Sequence, residues 1–194
     1  PTLPTGLRVL VGCEGQMMSP TEPSLNAEVA SSCQVVLMAC NHYHLRRVEE
    51  PVDRTPEGWA CHHLAMIRGA VATGYCHIIA HPFLLDKVAK TVDIKAVMSA
   101  YDSQELRELM AQAAEAGVAF ELNPGHVARA FDFMQEVVQM GQKAGCRFSV
   151  ASDAHRLEAV DYGHVPGGRS RASELLKAVG LGKEDLWSPD AVFR

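Results

Sequence analysis

Asp153 and His155 stand two positions apart in FSVASDAH (148–155), where an apolar run ends in a carboxylate and an imidazole. Neutral imidazole and carboxylate are the ligands that divalent zinc, manganese and iron share, whereas magnesium keeps almost entirely to oxygen. Four other apolar runs end in a similar way: LRVLVGCE on Glu14, QVVLMAC followed by NHYH on His42 and His44, CHIIAH on His81, and VAFELN on Glu121 and Asn123. One such residue at a strand end is ordinarily a solvated loop residue. The repetition through all the runs is what converging metal ligands would produce, and a carboxylate such as Glu14 can bridge two cations. No local spacing such as HExxH is present, so the set depends on the runs lying side by side. His62, His63, His77, His126 and His164 fall elsewhere and read as solvated or packed residues, with His164 the one further candidate for a general acid.

The elements that must position these residues alternate. Strands are expected over 7–14, 34–40, 76–81, 118–123 and 147–152. Between them, SLNAEVASS reads as a short helix opened by Ser24, and 58–74 as a helix stopped by glycine. DSQELRELMAQAAEAG reads as a helix opened near Ser103 and ended by Gly117, with Leu106, Leu109, Met110 and Ala113 on one face. HVARAFDFMQEVVQMGQKAG reads as one continuous helix, and 170–181 as a last one. Alternating strands and helices imply parallel strands joined by crossover helices, and near-continuous apolar strands imply a sheet buried on both faces. In such folds functional groups collect at the carboxyl ends of the strands. The expectation is one α/β domain over 1–194, barrel-like or doubly wound.

With 194 residues, 47% hydrophobic and 21% charged, the chain has the composition of a globular domain with a sizeable core. A formal charge of −5 gives no support to a nucleic-acid surface, and no apolar run has the length of a membrane span. The six cysteines form no CxxC pair, and with no export-signal pattern at the start the expectation is a cytoplasmic protein with reduced thiols.

Together VLVGCEG, VVLMACNHYH, HIIAHP, AFELNP and VASDAH resemble the later motifs of the PHP (polymerase and histidinol phosphatase) family, in the family's order and over nearly the whole chain. The resemblance implies a distorted seven-stranded β/α barrel holding up to three divalent ions, zinc, manganese or iron. It implies that Glu14 bridges two metals, that His42 (or His44) and His81 are ligands, and that Asp153 and His155 hold the remaining ions at the catalytic centre. Glu121 and Asn123 would shape the site. The reaction implied is phosphoester hydrolysis by metal-activated water on a small phosphorylated substrate. Arg46 and Arg156, in loops after the strand ends, would bind the phosphate, with Arg47, Arg169 and Arg171 as further candidates.

The family opens with an HxH strand, and no such motif precedes Glu14 here. The barrel is therefore expected to be incomplete at its N-terminal side, with fewer metal ligands and an open edge favouring homo-oligomers. That departure motivates a second reading, a degenerate PHP-like module with a binding or assembly role and no catalysis. A third is a metal hydrolase of the amidohydrolase or TatD type, which SDAH argues against because those families usually lack a histidine two residues after the strand-end aspartate.

Overall fold

The computed structural model describes residues 9–85, 88 and 92–191. Its sheet is built from short runs, β-branched or aromatic residues entering only in the last four: β1 (Gly12–Ser19), β2 (Glu22–Pro23), β3 (Val35–Ala39), β4 (Ile78–Ala80), β5 (Ala119–Leu122) and β6 (Phe148–Val150). The helices are α1 (Ala27–Ser31), α2 (Pro56–Ala72), α3 (Ile94–Ala100), α4 (Ser103–Ala116), α5 (Pro124–Arg129), α6 (Phe131–Ala144) and α7 (Gly168–Ala178). The architecture is mixed α/β, with strands in the order β2-β1-β3-β4-β5-β6. All neighbours are parallel except β1 and β2, which pair antiparallel.

From β1 to β6 the parallel strands follow chain order without reversal, so the sheet has no switch point of the doubly wound kind. Right-handed crossovers between strands in that order put every connecting helix on the same face. The packing agrees. Val36, Met38, Ile79, Phe120 and Phe148 join residues of α2, α4 and α6 in one large core, whereas Val35, Ile78 and Ala119 form a separate small cluster on the other face with Leu37 and Trp187 against it. Glu14 is in register with Leu37, and side chains alternate along a strand, so Glu14 projects on the face away from the main core. Glu121, between Phe120 and Leu122 of the main core, lies on that same face.

Helix ends are set by capping chemistry. Thr55 caps α2 by accepting from the Gly58 N–H at 3.1 Å, with Pro56 at the first helical position. Asp102, not Ser103, caps α4, accepting from the N–H groups of Gln104 and Glu105 at 2.8 and 2.9 Å. Asn26, not Ser24, caps α1; the Ser24 hydroxyl instead accepts from the Gln16 N–H at 2.8 Å. Gly117 and Gly145 close α4 and α6 at φ +71° and +83°, a conformation open to glycine.

Several sequence expectations need correction. The first strand runs to Ser19, so Glu14 lies within it and not at its end, while Leu7 and Arg8 fall outside the described residues. The short antiparallel β2 and the helix α3 have no counterpart among the expected elements. The continuous helix expected over 126–145 breaks at Ala130 (φ −132°, ψ 46°), because α5 packs on α7 while α6 packs on α4. Among the described residues no helix is long and apolar enough to cross a membrane.

Candidate metal centre

Three adjacent strands deliver the first candidate ligands. Glu14 comes from β1, His42 from the loop three residues after β3, and His81 from the residue after β4. One ligand atom from each lies within 4.8 Å of the others, close enough for one cation to be shared. Glu14 Oε1 is 3.3 Å from His81 Nε2, and the rings of His42 and His81 have centroids 5.1 Å apart. Glu14 is partly exposed, His42 half-buried and His81 buried, so the group opens to solvent on the Glu14 side. A carboxylate and two imidazoles fit a first-row divalent cation, and three protein ligands leave room for water or substrate. Two buried atoms beside them, His81 Nδ1 and Glu121 Oε1, have no hydrogen-bond partner among the described residues; an ion or an ordered water satisfies such atoms.

The surrounding chain fixes these side chains. His81 adopts φ +31°, which turns it out of the β4 direction immediately before Pro82. The buried Asn41 side chain holds that turn, donating from Nδ2 to the carbonyls of His81 at 2.9 Å and Leu84 at 2.7 Å. Asn123 has the matching role at the end of β5. Its Oδ1 caps α5 through the Gly125 N–H at 2.9 Å, and its Nδ2 donates to the Ser152 carbonyl at 3.2 Å, tying the end of β5 to the residue before Asp153. Asp153 itself sits at φ +51°. Left-handed conformations at non-glycine residues are uncommon, and of the three among the described residues, His81, Asp153 and Tyr162, two are residues singled out by type.

The electrostatics follow from this packing. The hydrogen bond with His81 holds the Glu14 carboxyl below its usual range against the opposing effect of burial, with His42 and His155 adding to the depression. Burial depresses the basicity of His81, but the hydrogen bond and charge of Glu14 more than reverse this and raise its pKa, with Glu121 and Asp153 contributing. His42 is lowered by burial and by its neighbour His81. Burial pushes Glu121 up to about 7, a shift opposed by His81 and reinforced by Glu14 and Asp153.

Asp153 and His155 do not join the three-ligand group. His155 Nε2 lies 3.1 Å from Asp153 Oδ1, and the His155 side chain is 83% exposed. The pair is near enough for both residues to act on the charges of the group, Asp153 on His42 and His81 and His155 on Glu14. His44 stands beside His42, with ring centroids 5.2 Å apart, but is exposed and outside the group. Arg46 and Arg156 are exposed in the loops after β3 and β6. His77 is a structural residue whose Nδ1 accepts from the Val36 N–H at 3.0 Å, and His63 is buried against the Tyr101 hydroxyl at 2.5 Å. Asn41 was missed by sequence reasoning, although its place directly before His42 in ACNHYH was a signal. His164 packs within 3.2 Å of the site a Gly125 side chain would need, so the loop after β6 reaches over the end of β5. A scan against family models and a search of curated proteins each returned no match to this chain.

Proposed function

We propose that this chain is a metal-dependent phosphoesterase of the PHP type, built on an arc of the family's distorted β/α barrel. The observation that carries this reading is the meeting of Glu14, His42 and His81 from three neighbouring strands, in the order of the motifs that resemble the family. Strands in chain order, with carboxylates on the face away from the helices, support the barrel arc.

Glu14, His42 and His81 would hold one cation, and Asp153 with His155 would serve a second. Zinc, manganese or iron bound there supplies Lewis acidity, which makes water acidic and offsets phosphoryl charge. The chain's own residues do the rest. His81 keeps Glu14 ionised, and Asn41 keeps His81 oriented. Burial brings the Glu121 carboxyl up to about 7 beside them, so it titrates near neutrality. Asp153 and His155, paired at the exposed rim, would be the catalytic residues beside that second cation. Arg46 and Arg156 would present guanidinium forks to the phosphate of a small phosphorylated substrate.

A second reading, a metal-holding module without hydrolysis, draws on the mutual pairing of Asp153 and His155 outside the ligand group. One experiment separates the two. Elemental analysis of the purified chain should show at least one equivalent of zinc, manganese or iron, lost in a Glu14→Gln, His81→Ala double variant. Aryl phosphate hydrolysis should accompany the metal, stop with chelator and fall at least about a hundredfold in Asp153→Asn. Metal without turnover supports the second reading; a folded chain that takes up none of the three metals ends both.

A further inference from the structure

We propose that Cys13 and Cys33 form a built thiol pair that oxidation joins as a disulfide on the back of β1, behind Glu14. The two residues are 20 positions apart, yet their Sγ atoms lie 3.3 Å from each other. Backbone and side-chain bonds hold them on both sides. Cys33 follows the end of α1, its N–H donating to the Ala30 carbonyl at 3.0 Å. The next residue, Gln34, is bonded to Val11 twice, N–H to carbonyl at 2.7 Å and Oε1 to N–H at 2.9 Å, which fixes the start of β3 against the start of β1. Cys13 is in register with Val36 and packs on the main core, whereas Glu14 points to the opposite face. The sulfurs therefore meet without touching the metal ligands.

Bond formation needs the sulfurs to close from 3.3 Å to about 2.05 Å. With hydrogen peroxide as oxidant, one cysteine reacts as its thiolate: its sulfur gives an electron pair to a peroxide oxygen, the O–O bond breaks, and the hydroxide that leaves takes up the proton the thiol released, giving a sulfenic acid and water. The second sulfur attacks the sulfenic sulfur, which releases its hydroxyl with the thiol proton as a second water. Two thiols and one hydrogen peroxide thus become one disulfide and two waters. Both cysteines are half-buried, so a small oxidant reaches them, whereas Cys40, Cys76 and Cys146 are buried. Cys61 is exposed and serves as an internal reference. The link would fasten the strand that carries Glu14 to the α1–β3 junction, and it holds whether or not the chain is a phosphoesterase.

The test is peptide mapping by mass spectrometry of the native chain after graded hydrogen peroxide, with thermal unfolding of the same samples. The expected result is a Cys13–Cys33 linked peptide, two hydrogens lighter, forming at oxidant levels that modify Cys61 and absent in Cys33→Ser. Because the pair is already in contact, the link should raise Tm by roughly 5–10 °C. If Cys61 is oxidised while Cys13 and Cys33 stay free or are modified singly, the proposal is wrong. A link that forms only in denaturant, or that lowers Tm, overturns it equally, since the fold would then be resisting the bond.

Discussion

Glu121 is 5% exposed, one of its carboxylate oxygens has no hydrogen-bond partner among the described residues, and burial pushes its pKa up to about 7. An acid whose pKa is raised on folding binds more protons in the folded state, so it lowers stability as pH rises from its ordinary 4.5 through about 7. Glu121→Gln keeps the shape and removes the charge. In metal-free protein it should raise stability by on the order of 1–3 kcal/mol at pH 8 and by little at pH 5, measured by urea unfolding at both values. An equal gain at the two pH values would mean the carboxyl is not the source. Glu14 and His81 show the opposite logic. The depressed acid favours folding above its ordinary 4.5 and loses this as pH falls; the raised base favours folding below its ordinary 6.5 and loses this as pH rises through its folded value. Their mutual support is therefore greatest between those two values. A cation needs neutral imidazole, so it competes with the His81 proton.

At the scale of elements, the junction of β5, α5 and β6 depends on Asn123, whose Oδ1 caps the helix and whose Nδ2 reaches the Ser152 carbonyl. Asn123→Ala removes both and should cost about 1–3 kcal/mol. Asn123→Ser retains a neutral cap acceptor and loses the donor to Ser152, so it should cost less; urea midpoints of the two variants decide, and equal losses would mean the cap contributes nothing. The sequence placed Asn123 at a strand end and started the next helix at His126; its capping of α5, which begins at Pro124, was not read, although an Asn followed by Pro is a helix-start signal. The strands β3, β4 and β5 were legible as apolar runs bounded by polar residues. β1 was only partly legible: GCEGQMMS places Glu14 and Gln16 among small residues, and an alternating strand with polar groups on the face away from the main core looks like a strand already ended. The break at Ala130 was hidden because the apolar period runs through it, and only different packing partners separate α5 from α6. At the site, residue types singled out Glu14, His42 or His44, and His81, but not that Glu14, His42 and His81 are the three that meet. That Asp153 meets His155, and that Asn41 supports His81, depends on left-handed turns that spacing does not encode.

For the molecule as a whole, positions 14, 42 and 81 come together only when β1, β3 and β4 are paired, so a cation bound there binds the folded chain and not the unfolded one. Such a ligand stabilises by RT ln(1 + [L]/Kd), about 2.7 kcal/mol at a hundredfold excess over Kd. For a chain of this size that corresponds to a rise in Tm of roughly 5–10 °C. Manganese is the cleaner probe than zinc, because six free thiols in the unfolded chain would bind zinc and offset its effect. Magnesium should give less than manganese at equal concentration, since two of the three ligands are imidazoles. The expected pattern in differential scanning calorimetry is a Tm that climbs with manganese and returns on chelation. It should be flat in Glu14→Gln and in His81→Ala, and still present in His44→Ala, whose exposed ring lies outside the group. A rise that survives loss of Glu14 and His81 would place the cation elsewhere. A rise lost in His44→Ala would move the ligand from His42 to its neighbour, reversing the assignment that the fold makes between the two histidines of NHYH.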